Sequence, residues 1–352
     1  MPLRMLGCLR RSTSPPTNWP RLTSTNRQRR EGRGPVAGIF PARTSVGARP
    51  TSPMADRKAP AAASVGDVLG IVVSSTVRSW RVSTASANAR WSALRKLRAF
   101  GQSLSEDDRL KSCGGVISRG RRGSSEEVLD RFKSCHFCWI CPVCGVREAE
   151  KQADKLAGRL EGWVRRGGRA GFLTLTQRHS YYDDLLQLWN WLEFASGRAL
   201  RASSVRDAGV CALFRSAEIV HHPDSGWNVH THSILFLGHA MSASELAQLK
   251  SVIADRFVQA IHRQGGSADR QGQDLRMVEV NTERTIAAYC LKGTTIYRSD
   301  DGSRTPMQVL ADIESTDTED DHRRWSEVSS FALHRPGKRF KYTPGIDRLC
   351  LP

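Results

Sequence analysis

The sequence predicts an α+β fold built on an antiparallel sheet, and three observations predict it. Residues Val210 to Val220 and Trp227 to Leu237 are rich in apolar and β-branched side chains. Between them lie Pro223, Asp224, Ser225 and Gly226, the composition of a hairpin turn. The strand-like runs Gly171–Gln177 and Asp274–Val280 alternate with longer stretches of helical periodicity. The resulting order of strand, helix, two strands, helix, strand, helix fits an antiparallel sheet with helices on one side and the hairpin at its centre.

Taken in order, residues 1 to about 75 are rich in Pro, Ser, Thr, Arg and Gly without sustained periodicity, the pattern of a disordered segment. Met54 lies inside it and is a candidate start. Thr84 to Phe100 is expected to be a short basic helix carrying Trp91, Leu94 and Leu97. Leu110 to Cys144 holds most of the cysteines. Val146 to Arg166 is a predicted helix with Leu156, Leu160 and Trp163 on one face, ended by Gly167-Gly168. After the strand Gly171–Gln177, Asp183 is the expected N-cap of a helix to Leu200. Ser242 and Glu245 form a capping box for a helix running to about His262. Asn281 or Thr282 is expected to cap a helix through about Lys292. Beyond Tyr297, Ser299–Ser303 and Glu314–Asp321 read as polar loops, and Ser329–Pro344 as a late basic strand. The expected organisation is a disordered segment 1–75, a basic, cysteine-rich zinc-binding segment 76–150 and a principal domain 151–346.

The chain of 352 residues carries a formal net charge of +18, with arginine outnumbering lysine roughly four to one. Such a charge points to a polyanionic partner, and arginine suits phosphates and guanine edges. No apolar run is long enough for a membrane span and no signal peptide is evident, so a cytoplasmic protein without a membrane partner is expected. Nine cysteines, several clustered, then point to metal ligation rather than disulfides.

His230 and His232 are two apart on the second hairpin strand, so both imidazoles face one way, a start on a divalent-metal site. With a three-residue loop Asp224–Gly226, Pro223 lies opposite Trp227 and Glu218 opposite His232, completing a His, His, carboxylate set with open positions. Cys135, Cys138, Cys141 and Cys144 are spaced three apart, with Cys113 upstream. Cys141-Pro-Val-Cys144 is a thiolate knuckle suited to structural zinc. The ligands are two such knuckles, or Cys113, Cys135, Cys141 and Cys144 with Cys138 left out; the spacing also suits iron–sulfur ligation. Tyr289 and Lys292 are three apart on the predicted helix, placing a cation beside a phenol. Together these parts suit DNA transesterification, in which the tyrosine forms a 5′-phosphotyrosine link and releases a 3′-OH. Tyr181 and Tyr182, after the Thr-rich strand, are the main rivals to Tyr289.

Phe172-Leu-Thr-Leu-Thr176, Gly226-Trp-Asn-Val-His230-Thr-His232 and Ala288-Tyr289-Cys-Leu-Lys292 stand in the order seen in HUH endonucleases. The chain resembles most the plasmid rolling-circle replication initiators of the actinobacterial type. The cysteine region and the tail Arg335–Ile346 are similar as well, and the resemblance covers about residues 110 to 346. It implies a five-stranded antiparallel sheet of ferredoxin-like or RNA-recognition-like arrangement. It implies Mg²⁺ or Mn²⁺ on His230 and His232 with Glu218 completing the site, nicking at a double-strand origin by Tyr289, and phosphate or tyrosine positioning by Lys292. Plasmid DNA, a host helicase and a polymerase are the partners implied. The chain departs from the pattern at Thr231, where a bulky apolar residue is usual. It departs again at Thr285, where relatives often carry a carboxylate; the nearest acid is Glu283. A conjugative relaxase or single-strand transposase with the same chemistry, and a non-catalytic zinc-stabilised DNA-binding regulator, are the alternative readings.

Overall fold

The computed structural model describes residues 84–121, 128–290, 293, 296–334 and 338–350. The expected disordered segment 1–75, Met54 and Lys292 lie outside the described residues. Among the described residues the elements are α1 (Thr84–Ser103), α2 (Asp108–Lys111), β1 (Val116–Arg121), β2 (Val128–Phe132), α3 (Pro142–Arg165), β3 (Arg169–Thr176), α4 (Leu185–Leu200) and α5 (Ser203–Asp207). There follow β4 (Val210–His222), β5 (Gly226–Leu237), α6 (Ala243–Arg263), β6 (Asp274–Met277), α7 (Glu283–Tyr289), α8 (Pro306–Thr316), α9 (Glu319–His334), β7 (Phe340–Tyr342) and α10 (Ile346–Cys350).

Five strands form one antiparallel sheet in the order β6-β3-β5-β4-β7, with the β4–β5 hairpin central. The α+β class and the five-stranded sheet are as expected. The placement of helices on one side is corrected, because they cover both faces. The reason lies in the unbroken run Ile234-Leu-Phe-Leu237, which is apolar at odd and even positions and so must be buried twice. Leu173, Leu175, Ile219, Val229, Leu235 and Leu237 share a cluster with side chains of α4, α6, α8 and α9. Ala170, Phe214, Ile234 and Phe236 share another with α3, α7 and α10.

The hairpin turn also differs from expectation. His222 pairs with Gly226, so the loop is Pro223-Asp224-Ser225 and Gly226 already belongs to β5. His221, not Pro223, lies opposite Trp227, and Glu218 lies opposite His230 rather than His232. Gly226 has a φ of 76°, a conformation glycine adopts freely, which lets the strand begin straight out of the turn. A Cβ there would lie 2.8 Å from the Tyr181 Cα. The displacement is an even number of residues, so Glu218 keeps the face on which it was placed.

Several boundaries are corrected. Asp184, accepting from the Gln187 N–H at 2.8 Å, caps α4, while Asp183 accepts from Ser180 in the preceding turn. The Ser242–Glu245 capping box is present. Neither Asn281 nor Thr282 caps α7 by its side chain; Glu283 reaches back to the Asn281 N–H at 3.2 Å, and the helix ends at Tyr289 with Cys290 as its cap. The expected loop Glu314–Asp321 is the end of α8, two linking residues and the start of α9. Asp317 turns the chain with a φ of 51°. Arg304 binds Asp312 at 2.8 Å and Asp321 at 2.5 Å, so these acids hold the two helices to one buried guanidinium. Among the described residues of Ser329–Pro344, only Phe340–Tyr342 is strand, at the sheet edge beside β4.

His221 is buried, and neither ring nitrogen has a hydrogen-bond partner among the described residues. Burial, then the charges of Arg324 and Arg304, pushes its pKa down to about 4 against Asp320 and Asp321. An unfolded chain takes up this proton near pH 6.5, the folded one only near 4. The neutral ring therefore contributes stability above the unfolded value, and this is lost as pH falls from there towards 4, by on the order of 3 kcal/mol. Urea unfolding at neutral and mildly acidic pH should show this loss, and His221→Phe should remove most of it. An equal pH dependence in the variant would refute the assignment.

Candidate active site

The site is built on the even-numbered face of the sheet. Glu218 on β4 and His230 on β5 are direct cross-strand partners, and His232 is one pleat further along. The Glu218 Oε2 lies 3.2 Å from His230 Nε2 and 3.0 Å from His232 Nε2. One ligand atom from each of the three lies within 4.8 Å of the others, and Glu218 and His232 are buried. Two ring nitrogens and a carboxylate converging on one point form a donor set suited to a hard or borderline divalent ion.

Thr174 on β3 pairs with His232, and its Oγ1 lies 3.2 Å from His232 Nδ1. A proton on Nδ1 shared with that hydroxyl leaves the Nε2 lone pair directed at the site. Phe172, two residues earlier on the same face, stacks on the His232 ring with centroids 5.3 Å apart. Tyr289, at the end of α7, meets the same pair: its ring lies 5.4 Å from His232 and 5.5 Å from Phe172. The apolar residues Ile286 and Ala287 bury α7 against this sheet face, and that packing delivers the phenol.

The rival tyrosines sit elsewhere. Tyr181 lies over the hairpin turn, its hydroxyl bonded to Asp320 at 3.2 Å and to Arg323 at 2.9 Å. That end of β5 is about four residues, or roughly 13 Å of strand rise, from His230. Tyr182 is almost fully exposed beside Tyr181. Tyr342 packs on Phe214, and its hydroxyl is pushed up to about 12 by burial.

Two further residues at this site are unread in the sequence. A Cβ on Gly293 would lie 2.7 Å from Glu218 Cγ and 2.8 Å from Arg339 Nη2, so only glycine lets the backbone close over the carboxylate. Arg339 is buried, stacked 4.2 Å over the Trp139 ring, and burial lowers its pKa to about 10 while the Glu218 charge opposes this. The only sequence signal for either was position, after Lys292 and within the basic tail.

The cysteine segment forms a second centre. The loop preceding β1 carries Cys113, the stretch after β2 carries Cys135, and Cys141 is the N-cap of α3, with Pro142 in its first turn and Cys144 one turn on. Sγ separations are 3.8 Å for Cys113–Cys141, 3.6 Å for Cys113–Cys144 and 3.7 Å for Cys135–Cys144. Tetrahedral zinc with bonds of about 2.3 Å places its sulfurs about 3.8 Å apart, so these spacings suit a single ion. A multi-iron cluster needs more room between its ligands. Hydrogen bonds among the thiols hold Cys144 below the ordinary thiol range and Cys141 above it. Cys138 is outside this group, its Sγ 3.5 Å from the His136 carbonyl. Of the open ligand sets, the structure brings together Cys113, Cys135, Cys141 and Cys144.

One face of the five-stranded antiparallel sheet thus carries a His, His, carboxylate group and a tyrosine, and a cysteine cluster precedes it in the chain. Residues 127–247 match the family model described as "Replication protein". Among curated relatives, "Protein rep" of Streptomyces lividans is 25% identical over 159 residues, covering 37% of this chain and 35% of that protein. A Streptomyces cyanogenus protein named "Neomycin resistance protein" is 23% identical over 152 residues, covering 35% of each. The chain thus spans about a third of the length of the curated relatives it matches. No solved structure matches. The resemblance to plasmid replication initiators read from the sequence is borne out. The matched segment contains Cys135, Cys141, Cys144, Glu218, His230 and His232; Cys113 and Tyr289 lie outside it. Among the described residues no helix is long and apolar enough to cross a membrane.

Proposed function

We propose that this protein starts rolling-circle replication of a plasmid by nicking one DNA strand at the double-strand origin. The observation that carries the reading is the Tyr289 ring 5.4 Å from the His232 ring, on the sheet face that carries Glu218 and His230. Glu218, His230 and His232 would hold Mg²⁺ or Mn²⁺. Such an ion, when bound, polarises a phosphate oxygen and offsets the charge gathering there. The Tyr289 Oη attacks phosphorus, the bond from phosphorus to the 3′-oxygen breaks, and the 5′ end stays on tyrosine. The phenol proton is lost, and the departing 3′-oxygen gains one, leaving a 3′-OH primer for a host polymerase working with a helicase. Thr174 and Phe172 fix the His232 ring, and Lys292 is assigned the role of steadying the phosphate or the phenolate. Cys113, Cys135, Cys141 and Cys144 would hold one structural Zn²⁺.

The test is to incubate the full chain with single-stranded origin DNA and Mn²⁺ and to map any covalent adduct by proteolysis and mass spectrometry. An adduct on Tyr289, absent without divalent metal and in His230→Ala, is expected. DNA binding with no adduct would support the regulator instead, and an adduct on Tyr181 or Tyr182 would overturn the assignment.

A further inference from the structure

The base of the β1–β2 ribbon and the turn after it enclose a groove of about 710 Å³, whose lining includes Arg109, Ile117, Phe132, Lys133, His136 and Phe137. Arg109 and Lys133 are exposed, and among the described residues no carboxylate lines the groove. Arg109 stacks 4.1 Å over the Phe137 ring, which keeps its guanidinium at the groove wall. The apolar residues are placed by the backbone. Val116 pairs with Phe132 and Ser118 with Arg131, so Ile117 is an extra residue in β1. A bulge of this kind re-aims a side chain, and here Ile117 joins Phe132 in one groove although the two are not cross-strand partners. Ile117 is 61% and Phe132 54% exposed. His136, with a φ of 60° that is uncommon outside glycine, turns the segment between Cys135 and Phe137 around the groove.

Large apolar side chains left in water beside cations mark an interaction surface. Cations take phosphates, and an exposed aromatic ring takes the face of an unpaired base. In a duplex those faces are stacked on one another, so a single strand is the occupant that this combination fits. We propose that the groove binds a single DNA strand, with a base stacked on Phe132 against Ile117 and the flanking phosphates on Arg109 and Lys133. That the strand is DNA rests on the proposed nicking function. The groove is tied to the cysteine centre: the Gly114 N–H donates to the Lys133 carbonyl at 2.8 Å and the Lys133 N–H to the Gly115 carbonyl at 2.9 Å, joining the loop of Cys113 to the stretch that leads into Cys135. An ion held by the four thiols would thus hold the groove as well.

The test uses the full chain without divalent metal, so that binding is read apart from nicking. The labelled probes are a single-stranded oligonucleotide, the same sequence as a duplex, and polyglutamate, each titrated by fluorescence anisotropy. Phe132→Ala should weaken the single strand about tenfold, the worth of one stacked base, and leave the duplex and polyglutamate near native. Arg109→Gln/Lys133→Gln should weaken the single strand and flatten the slope of log affinity against log salt by about 1.4, the share of two phosphates. Phe132→Trp keeps a stacking ring and should bind as the native chain does, with tryptophan emission quenched by the oligonucleotide beyond the native response. These side chains are exposed, so melting temperatures should stay near native. Single-strand affinity unchanged in Phe132→Ala, or polyglutamate and duplex weakened equally, would overturn the groove as a strand site. A native dimer that Phe132→Ala dissociates, with strand affinity unchanged, would make it a contact between copies instead. If the native chain forms a tyrosine adduct with Mn²⁺ while the variants bind normally, the groove fails and the nicking function stands. If the variants lose affinity as expected but no adduct ever forms, the nicking function fails, and the groove binds a strand without serving a nick.

Discussion

Tyr289→Phe should bind single-stranded origin DNA as tightly as the native chain and form no covalent adduct. The expected loss in adduct formation is at least about a thousandfold, or ~4 kcal/mol in the barrier, because the variant lacks the nucleophile itself. The phenylalanine ring keeps the edge contact with Phe172 and the tilted contact with His232, so the sheet face is not rearranged. His232→Ala is a less clean loss. It removes a proposed ligand together with the Phe172 stacking and the Thr174 hydrogen bond, so stability falls along with activity. The informative comparison is therefore between Tyr289→Phe and the native chain, read by gel shift for binding and by denaturing gel for the adduct. Retained adduct in the variant would remove Tyr289 from the reaction. Loss of binding in parallel with the adduct would make its role structural.

The reasons some of this was legible in the sequence are geometric. His230 and His232 share a face because strand side chains alternate, a property no tertiary contact can change. A three-residue loop ending at Gly226 sets Glu218 opposite His232 rather than His230, yet leaves it on the same face because the difference in register is even. What escaped is what depends on other parts of the chain. Thr174 meets His232 only because β3 lies beside β5, and Gly293 and Arg339 reach Glu218 from separate segments. Glu314–Asp321 reads as a loop for a different reason, although it holds the end of α8 and the start of α9. Glu319, Asp320 and Asp321 look like loop, but acids in a first helical turn suit the helix dipole, and Asp321 also binds Arg304. The apolar spacing of Trp325, Val328 and Phe331 was present all along. Helices on both sheet faces were equally legible in Ile234-Leu-Phe-Leu237, had two-sided burial been preferred to alternation.

The cysteine centre carries the second large effect. The native chain is expected to contain one zinc per molecule, and Cys144→Ala none. Cys144 lies 3.6 Å from Cys113 and 3.7 Å from Cys135, so its loss opens the tetrahedron. Zinc held by four thiolates stabilises small domains by amounts on the order of 10 kcal/mol, of which part reappears as folding stability here. Phe137, Trp139, Ile140 and Val143 are buried in the main core, so packing supplies part of the segment's order and zinc the rest. The base of its β1–β2 hairpin is exposed at Val116 and Phe132, and the first turn of α3 is ordered by Cys141 accepting from the Cys144 N–H. A loss of about 5 kcal/mol in a chain of this size lowers the melting temperature by roughly 7–10 °C. Cys138→Ala is the control: its thiol is outside the group, and both zinc content and melting temperature should stay near native values. Metal analysis and thermal unfolding of the two variants decide the matter. Zinc lost from Cys138→Ala and kept in Cys144→Ala would mean that the ion, if present, sits on the other knuckle. Iron with visible absorbance in the native protein would mean that four sulfurs under 4.8 Å apart had rearranged around a cluster.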